Sequence, residues 1–183
     1  MKRIAVYCGS APGRRAIYMQ TARDVGRRLA LLKVGLVYGG ARVGTMGALA
    51  DACLEAGGEV IGVIPRTLEK RELAHHGVTQ LFIVEDMHER KAKMASFADA
   101  FLALPGGAGT MEELFEMWTW SQIGLHDKPC AILNLEGFYD PLLMQVERMV
   151  EEGLMQPNVR DMLHVGRTLD EAFDALSLPS LGK

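Results

Sequence analysis

Short runs of apolar, often β-branched residues alternate along the chain with longer stretches whose apolar positions recur at helical spacing. Residues 4–8 (Ile-Ala-Val-Tyr-Cys) read as a first strand and residues 35–38 as a second. Residues 60–64 follow, stopped by Pro65, and then residues 81–84, 100–104 and 130–133. Between these runs, residues 17–32, 45–56 and 87–94 carry the helical period. The strand runs are apolar on both faces, the pattern of a parallel sheet covered by helices on each side. The expected fold is therefore α/β, a doubly wound, Rossmann-like parallel sheet of about six to seven strands, in one domain spanning the chain. Asp140-Pro141 predicts a helix running to about Glu152 with Asp140 as its cap, and residues 168–171 form a capping box opening a last helix. Residues 66–78, which include His75 and His76, have no clear period and read as a loop or broken helix beside the sheet.

Composition narrows the function classes. The chain has 183 residues, 49% of them hydrophobic, and a formal net charge of -3. With no long run of either charge, it has no electrostatic grip for nucleic acid or an anionic membrane. The apolar stretch after Lys2 and Arg3 is too short for a signal-peptide core, and no segment approaches the roughly 18 apolar residues of a membrane span. The three cysteines, Cys8, Cys53 and Cys130, are far apart and lack C-x-x-C spacing, so they suggest neither disulfides nor zinc and point to the reducing cytoplasm. His75, His76 and His88 have no partners at metal-ligand spacing, so no metal site is expected.

The chemistry is concentrated in glycines. Of the 20 in the chain, several cluster in three turns at predicted strand ends. These are Cys8-Gly9-Ser10, then residues 38–47 (Tyr-Gly-Gly-Ala-Arg-Val-Gly-Thr-Met-Gly), and residues 104–110 (Leu-Pro-Gly-Gly-Ala-Gly-Thr). In an open parallel sheet ligands bind at such ends, where glycine lets backbone N–H groups approach a phosphate and the next helix points its positive end at it. Ser10 and Gly40 are candidate contacts from the first two turns. One or two glycines serve any tight turn, but three among residues 106–109 exceed what turning the chain requires. None of the turns is a Walker A loop, and the second matches a dinucleotide fingerprint only loosely, without an acidic ribose clamp after it.

Two charged residues stand out, each with two readings. Thr110-x-x-Glu113 fits a capping box, in which Glu113 merely satisfies a helix start; alternatively, a carboxylate beside the glycine turn can act on a bound ribose. Arg90 shares a helical stripe with Met87, Met94 and Phe97, where it either snorkels to solvent or presents a rigid fork to a phosphate or a carboxylate. Lys91 and Lys93 point to other faces and read as solvated, although Lys91 could reach the same anion. The eleven methionines could line a surface that packs on a second chain.

Taken together, these residues resemble the LOG family of cytokinin riboside 5'-monophosphate phosphoribohydrolases. The two family motifs stand here as Met87-His88-x-Arg90-Lys91-x-x-Met94 and Pro105-Gly106-Gly107-x-Gly109-Thr110-x-x-Glu113. The sequence departs from the usual pattern at Thr45 within Gly44-Thr45-Met46-Gly47, where leucine is common, and at Ala11 after Ser10, where a second serine is common. The resemblance implies a homodimer that cleaves the N-glycosidic bond of an N6-substituted AMP, giving free base and ribose 5-phosphate without metal or organic cofactor. It implies catalysis by Arg90 and Glu113. Substrate contacts would come from Glu72, Arg90, Lys91, Gly106, Gly107, Ala108, Gly109, Thr110, Met111, Glu112, Glu113 and Thr119. Asp99 is the candidate for protonating the departing base. The older family label of lysine decarboxylase finds no support, since no lysine has the partner set of a Schiff-base site. The competing reading is a non-catalytic nucleotide or molybdenum-cofactor carrier on the same glycine turns.

Overall fold

The computed structural model describes residues 2–71 and 73–178. Seven strands, β1 (Arg3–Tyr7), β2 (Gly35–Tyr38), β3 (Val60–Pro65), β4 (Gln80–Val84), β5 (Ala100–Ala103), β6 (Cys130–Leu133) and β7 (Leu163–Gly166), form one sheet in the order β4-β3-β2-β1-β5-β6-β7. Every neighbouring pair is parallel. The six strands read from the apolar runs are all present. The seventh, Leu-His-Val-Gly, lies at the sheet edge, where only one strand pairs with it and a short half-polar sequence suffices.

Among the described residues the helices are α1 (Ala16–Leu31), α2 (Gly44–Glu55), α3 (Arg66–Glu69), α4 (Met87–Phe97), α5 (Ala108–Gln122), α6 (Asp140–Glu151), α7 (Pro157–Asp161) and α8 (Leu169–Ala175), with a 3-10 turn at Leu135–Gly137. Alternate residues of each strand feed two separate cores. Ile4, Val6, Leu36 and Tyr38 pack with Val25, Leu29 and Leu49 on the α1/α2 side, joined by Phe173 of α8. Ala5, Tyr7, Val37 and Phe101 pack with Met94, Leu114 and Trp118 on the α4/α5 side. The strands between the two edges are covered by helices on both faces, which is why they are apolar almost throughout.

One local expectation changes and two stand. Tyr139, not Asp140, is the N-cap of α6, and Asp140 is the first helical residue, where its carboxylate accepts from Asn134 Nδ2 at 2.7 Å. Among the described residues of 66–78, the single turn α3 is followed by irregular chain tied back by an isolated bridge between Ala41 and Ala74. The last helix starts at Leu169, with the Thr168 hydroxyl accepting from the Glu171 N–H at 3.2 Å, as the capping box predicts.

The strand order reverses between β1 and β5, whose neighbours lead away to opposite edges. Chains leaving these two strands part to opposite sides and open a crevice at their carboxyl ends. The first and third glycine turns border this crevice. Tyr139 steadies the third, its hydroxyl donating to the Leu104 carbonyl at 2.6 Å.

Candidate active site

A cavity of about 280 Å³ occupies the crevice, lined among others by Cys8, Ser10, Gly39, Arg90, Gly107 and Glu113. Its floor is the start of α5. Gly107 is the N-cap and brings no capping side chain, so the first N–H groups of a 15-residue helix open toward the cavity. The Thr110 hydroxyl is buried there without a partner. A Cβ built on Gly107 or Gly109 would meet no protein atom within 4 Å. Protein packing does not demand glycine at either position, whereas a ligand lying against the backbone does. The second turn is different: the Gly9 carbonyl accepts from the Met46 N–H at 3.2 Å and from Thr45 Oγ1 at 2.9 Å. One of the first N–H groups of α2 is therefore satisfied within the protein.

The Arg90 side chain enters the cavity from α4, whose own start is capped by Asp86 accepting from the Glu89 N–H. It does not snorkel. Nε donates to the Val63 carbonyl at 3.1 Å and Nη2 to the Gly39 carbonyl at 3.2 Å, so carbonyls within β3 and just beyond β2 orient the guanidinium. Nη1 stands 3.4 Å from Glu113 Oε1, and both side chains are 8% exposed. Gly39 makes this possible, since a Cβ there would lie 1.8 Å from Nη2.

Glu113 is no capping residue. The helix starts five residues before it, so Thr110 and Glu113 lie inside α5 and the carboxylate projects to the cavity. Burial pushes its carboxyl up to about 7, against the opposing pull of Arg90. A carboxyl with this value changes charge near neutral pH, as general acid–base groups do. Cys8, beside it, is pushed up to about 12 by burial and stays a neutral thiol.

The crevice brings together Ser10, Arg90, Gly107, Ala108, Gly109, Thr110 and Glu113. Other expected contacts lie elsewhere. Gly106 sits under Thr110, where an added Cβ would come 2.1 Å from the hydroxyl, and it borders the adjoining cavity. Gly40 turns away with a positive φ of 73°, its carbonyl accepting from the His75 N–H. Met111 packs against the α4/α5 core, and Thr119 is exposed farther along α5. Lys91 is neither solvated nor in the cavity: it is buried, and its ammonium meets Glu112 and, at 3.0 Å, Glu116. Glu72 lies outside the described residues. Asp99 precedes β5 and accepts from the Arg3 N–H at 2.8 Å, which puts it at the opposite end of the sheet from the crevice. It cannot serve the departing base. Leu68, Met46 and Met87 line the cavity without having been expected as contacts; Met46 and Met87 stand within the quoted motifs, whereas Leu68 carries no such signal.

Among known proteins, the chain is 50% identical over 179 residues to the cytokinin riboside 5'-monophosphate phosphoribohydrolase of Rhodococcoides fascians, covering 97% of this chain and 90% of that one. It is 46% identical over 175 residues to a phosphoribohydrolase of the same name from Arabidopsis thaliana, covering 96% and 81%. The chain belongs to the LOG family. The family model that matches residues 46–180 is described as "Possible lysine decarboxylase". In this LOG protein no lysine lines the crevice among the described residues, so its geometry offers nothing for that older description. Solved structures with the same fold include the molybdenum cofactor carrier protein of Chlamydomonas reinhardtii, with a TM-score of 0.70, 20% identity and 96% coverage of both chains. The molybdenum cofactor binding protein of Rippkaea orientalis matches at a TM-score of 0.72 and 18% identity, covering 97% of this chain and 96% of that one. At such identities the LOG protein shares their fold alone.

Proposed function

We propose that the protein hydrolyses the N-glycosidic bond of N6-modified AMP, and of AMP itself, to free base and ribose 5-phosphate. The reading rests on the buried Arg90–Glu113 pair beside the uncapped start of α5. The 5'-phosphate lies on the N–H groups that begin α5, where the helix favours negative charge. Ribose C1' faces Glu113. As the bond to the base breaks, positive charge builds on the sugar, and the carboxylate stabilises it and orients a water. The water's hydroxyl joins C1', and its proton ends on the departing base nitrogen. Arg90 opposes the protonation of Glu113 that burial favours, and holds the carboxylate in position.

The Rhodococcoides fascians relative carries this activity in its name, and the match spans nearly the whole of this chain. The carrier reading has only fold-level likeness behind it, and a carrier has no use for a buried arginine–glutamate pair. Incubation with AMP and with isopentenyladenosine monophosphate is expected to yield free base and ribose 5-phosphate from both. Intact nucleotide, tightly bound by calorimetry, would favour the carrier. Discrimination between the two bases is limited, because one apolar group is worth about 1–3 kcal/mol in a pocket. The proposed setting is the reducing cytoplasm, on the spacing of the three cysteines, and the proposed assembly a homodimer, as the family resemblance implies; among the described residues no helix is long and apolar enough to cross a membrane.

The phosphate position has its own check. Gly107→Ala places a methyl over the backbone without touching the protein, so stability should stay within about 0.5 kcal/mol of wild type. The KM for AMP should rise about tenfold, the loss of roughly 1.4 kcal/mol of binding. An unchanged KM would move the phosphate off this turn.

A further inference from the structure

His75 lies in the irregular chain after α3 and does not line the crevice, yet each of its polar atoms has a partner. Its backbone N–H donates to the Gly40 carbonyl at 2.9 Å, and its carbonyl accepts from the Val78 N–H at 3.5 Å. Ring Nδ1 accepts from the Gly77 N–H at 3.1 Å. The ring proton is therefore on Nε2, which donates to Asp51 Oδ1 of α2 at 2.8 Å. The His75 side chain is 14% exposed, whereas that of Asp51 is 59% exposed. The partners of His75 thus come from its own loop, from α2 and from the turn that follows β2.

That turn matters to the site. Gly39 and Ala41 line the crevice, and the Gly39 carbonyl accepts from Arg90 Nη2 at 3.2 Å. The planar peptide carrying this carbonyl ends at the Gly40 nitrogen, and the next carbonyl along the chain is the one held by His75. Turning one peptide turns the other. The Arg42 N–H donates to the Leu73 carbonyl at 2.9 Å, so two backbone bonds flank the bridge between Ala41 and Ala74. A lone strand pair of this size is marginal by itself. The imidazole supplies the fixed point by fastening the chain to α2. We propose that His75 is a positioning residue for Arg90: anchored on Asp51, it holds the 39–42 turn at the angle from which the Gly39 carbonyl meets the guanidinium. The role it supports is the one proposed for Arg90 above.

His75→Ala should release the turn without stranding a buried charge, because Asp51 is open to water. In the free protein, the NMR signal of the Arg90 Nε–H, assigned by its loss in Arg90→Lys, should exchange with water about tenfold faster, the effect of roughly one hydrogen bond on local opening. With AMP, kcat should fall about tenfold with KM unchanged, as for an interaction made only in the transition state. Asp51→Asn keeps the accepting oxygen and should match wild type in both measurements, whereas Asp51→Ala should match His75→Ala. In Gly39→Ala the added methyl already displaces Arg90, so adding His75→Ala should cost no further activity. Wild-type exchange or wild-type kcat in His75→Ala would overturn the proposal, as would losses from His75→Ala and Gly39→Ala that multiply. Should His75→Ala not fold, Asp51→Ala takes its place, and unchanged exchange at Arg90 there is equally fatal. The exchange measurement needs no turnover, so a protein that fails to hydrolyse AMP overturns the proposed function and leaves this test standing.

Discussion

Replacing Glu113 by glutamine is expected to lower turnover of AMP by 10²-fold or more while leaving nucleotide binding in place. The substitution keeps the shape of the side chain but removes the charge that meets the developing oxocarbenium and orients water. The wild-type kcat/KM should rise through an acidic limb near pH 7, where the carboxyl ionises, and the limb should vanish in the variant. A variant that hydrolyses AMP at the wild-type rate would remove Glu113 from the mechanism. Stability should move the other way. The Glu113 carboxyl is raised from 4.5 to about 7 on folding, so the folded protein binds the proton more tightly than the unfolded chain. That stabilisation is complete below pH 4.5 and is lost as pH rises through about 7. The buried charge that remains costs roughly 3 kcal/mol at pH 8. Glu113→Gln should therefore resist urea better than wild type at pH 8, and the difference should shrink toward pH 4.5. Activity and stability are opposed at this residue, as expected where a charge is held out of water for chemistry.

Gly39→Ala is expected to be nearly as damaging to activity, although Gly39 need touch no substrate. Its added methyl falls 1.8 Å from Arg90 Nη2 and 3.0 Å from Cζ, and the guanidinium cannot share that space. Arg90 must leave the Gly39 and Val63 carbonyls, and Glu113 loses its cation. Turnover should fall about 10²-fold, the scale of one lost electrostatic contribution. The acidic limb of kcat/KM should move above pH 7 as Arg90 withdraws, because burial then acts on Glu113 with less opposition. Wild-type rates in Gly39→Ala would show that the position of Arg90 is not needed. The contrast with Gly107→Ala is informative: one glycine is required by a neighbouring side chain, the other by space left above the backbone.

The strands and the doubly wound class could be read from the chain because a doubly covered sheet must be apolar on both faces, and that pattern is local. The edge strand β7 escaped because an edge needs fewer apolar residues. The glycine turn before α5 was legible for the same local reason, as were the family motifs that singled out Arg90 and Glu113. Thr110-x-x-Glu113 shows where local reading ends. Its letters suit a capping box, but the helix begins at Ala108, and where it begins depends on how the turn leaves β5. Asp99 is close to the glycine turn in sequence, yet four residues of β5 carry it to the far end of the sheet.

The sequence by itself determined the class of fold, the glycine turn before α5, and the two charged residues at the centre of the reading. Only the tertiary structure decided which way those charges point. Carbonyls within β3 and just beyond β2 steer Arg90 inward, α5 carries Glu113 to meet it, and the adjacent Lys91 is turned away to Glu112 and Glu116. The physical reason is one of range. Periodicity and turn chemistry act over a few residues, whereas burial and ion pairing depend on elements brought together from distant parts of the chain.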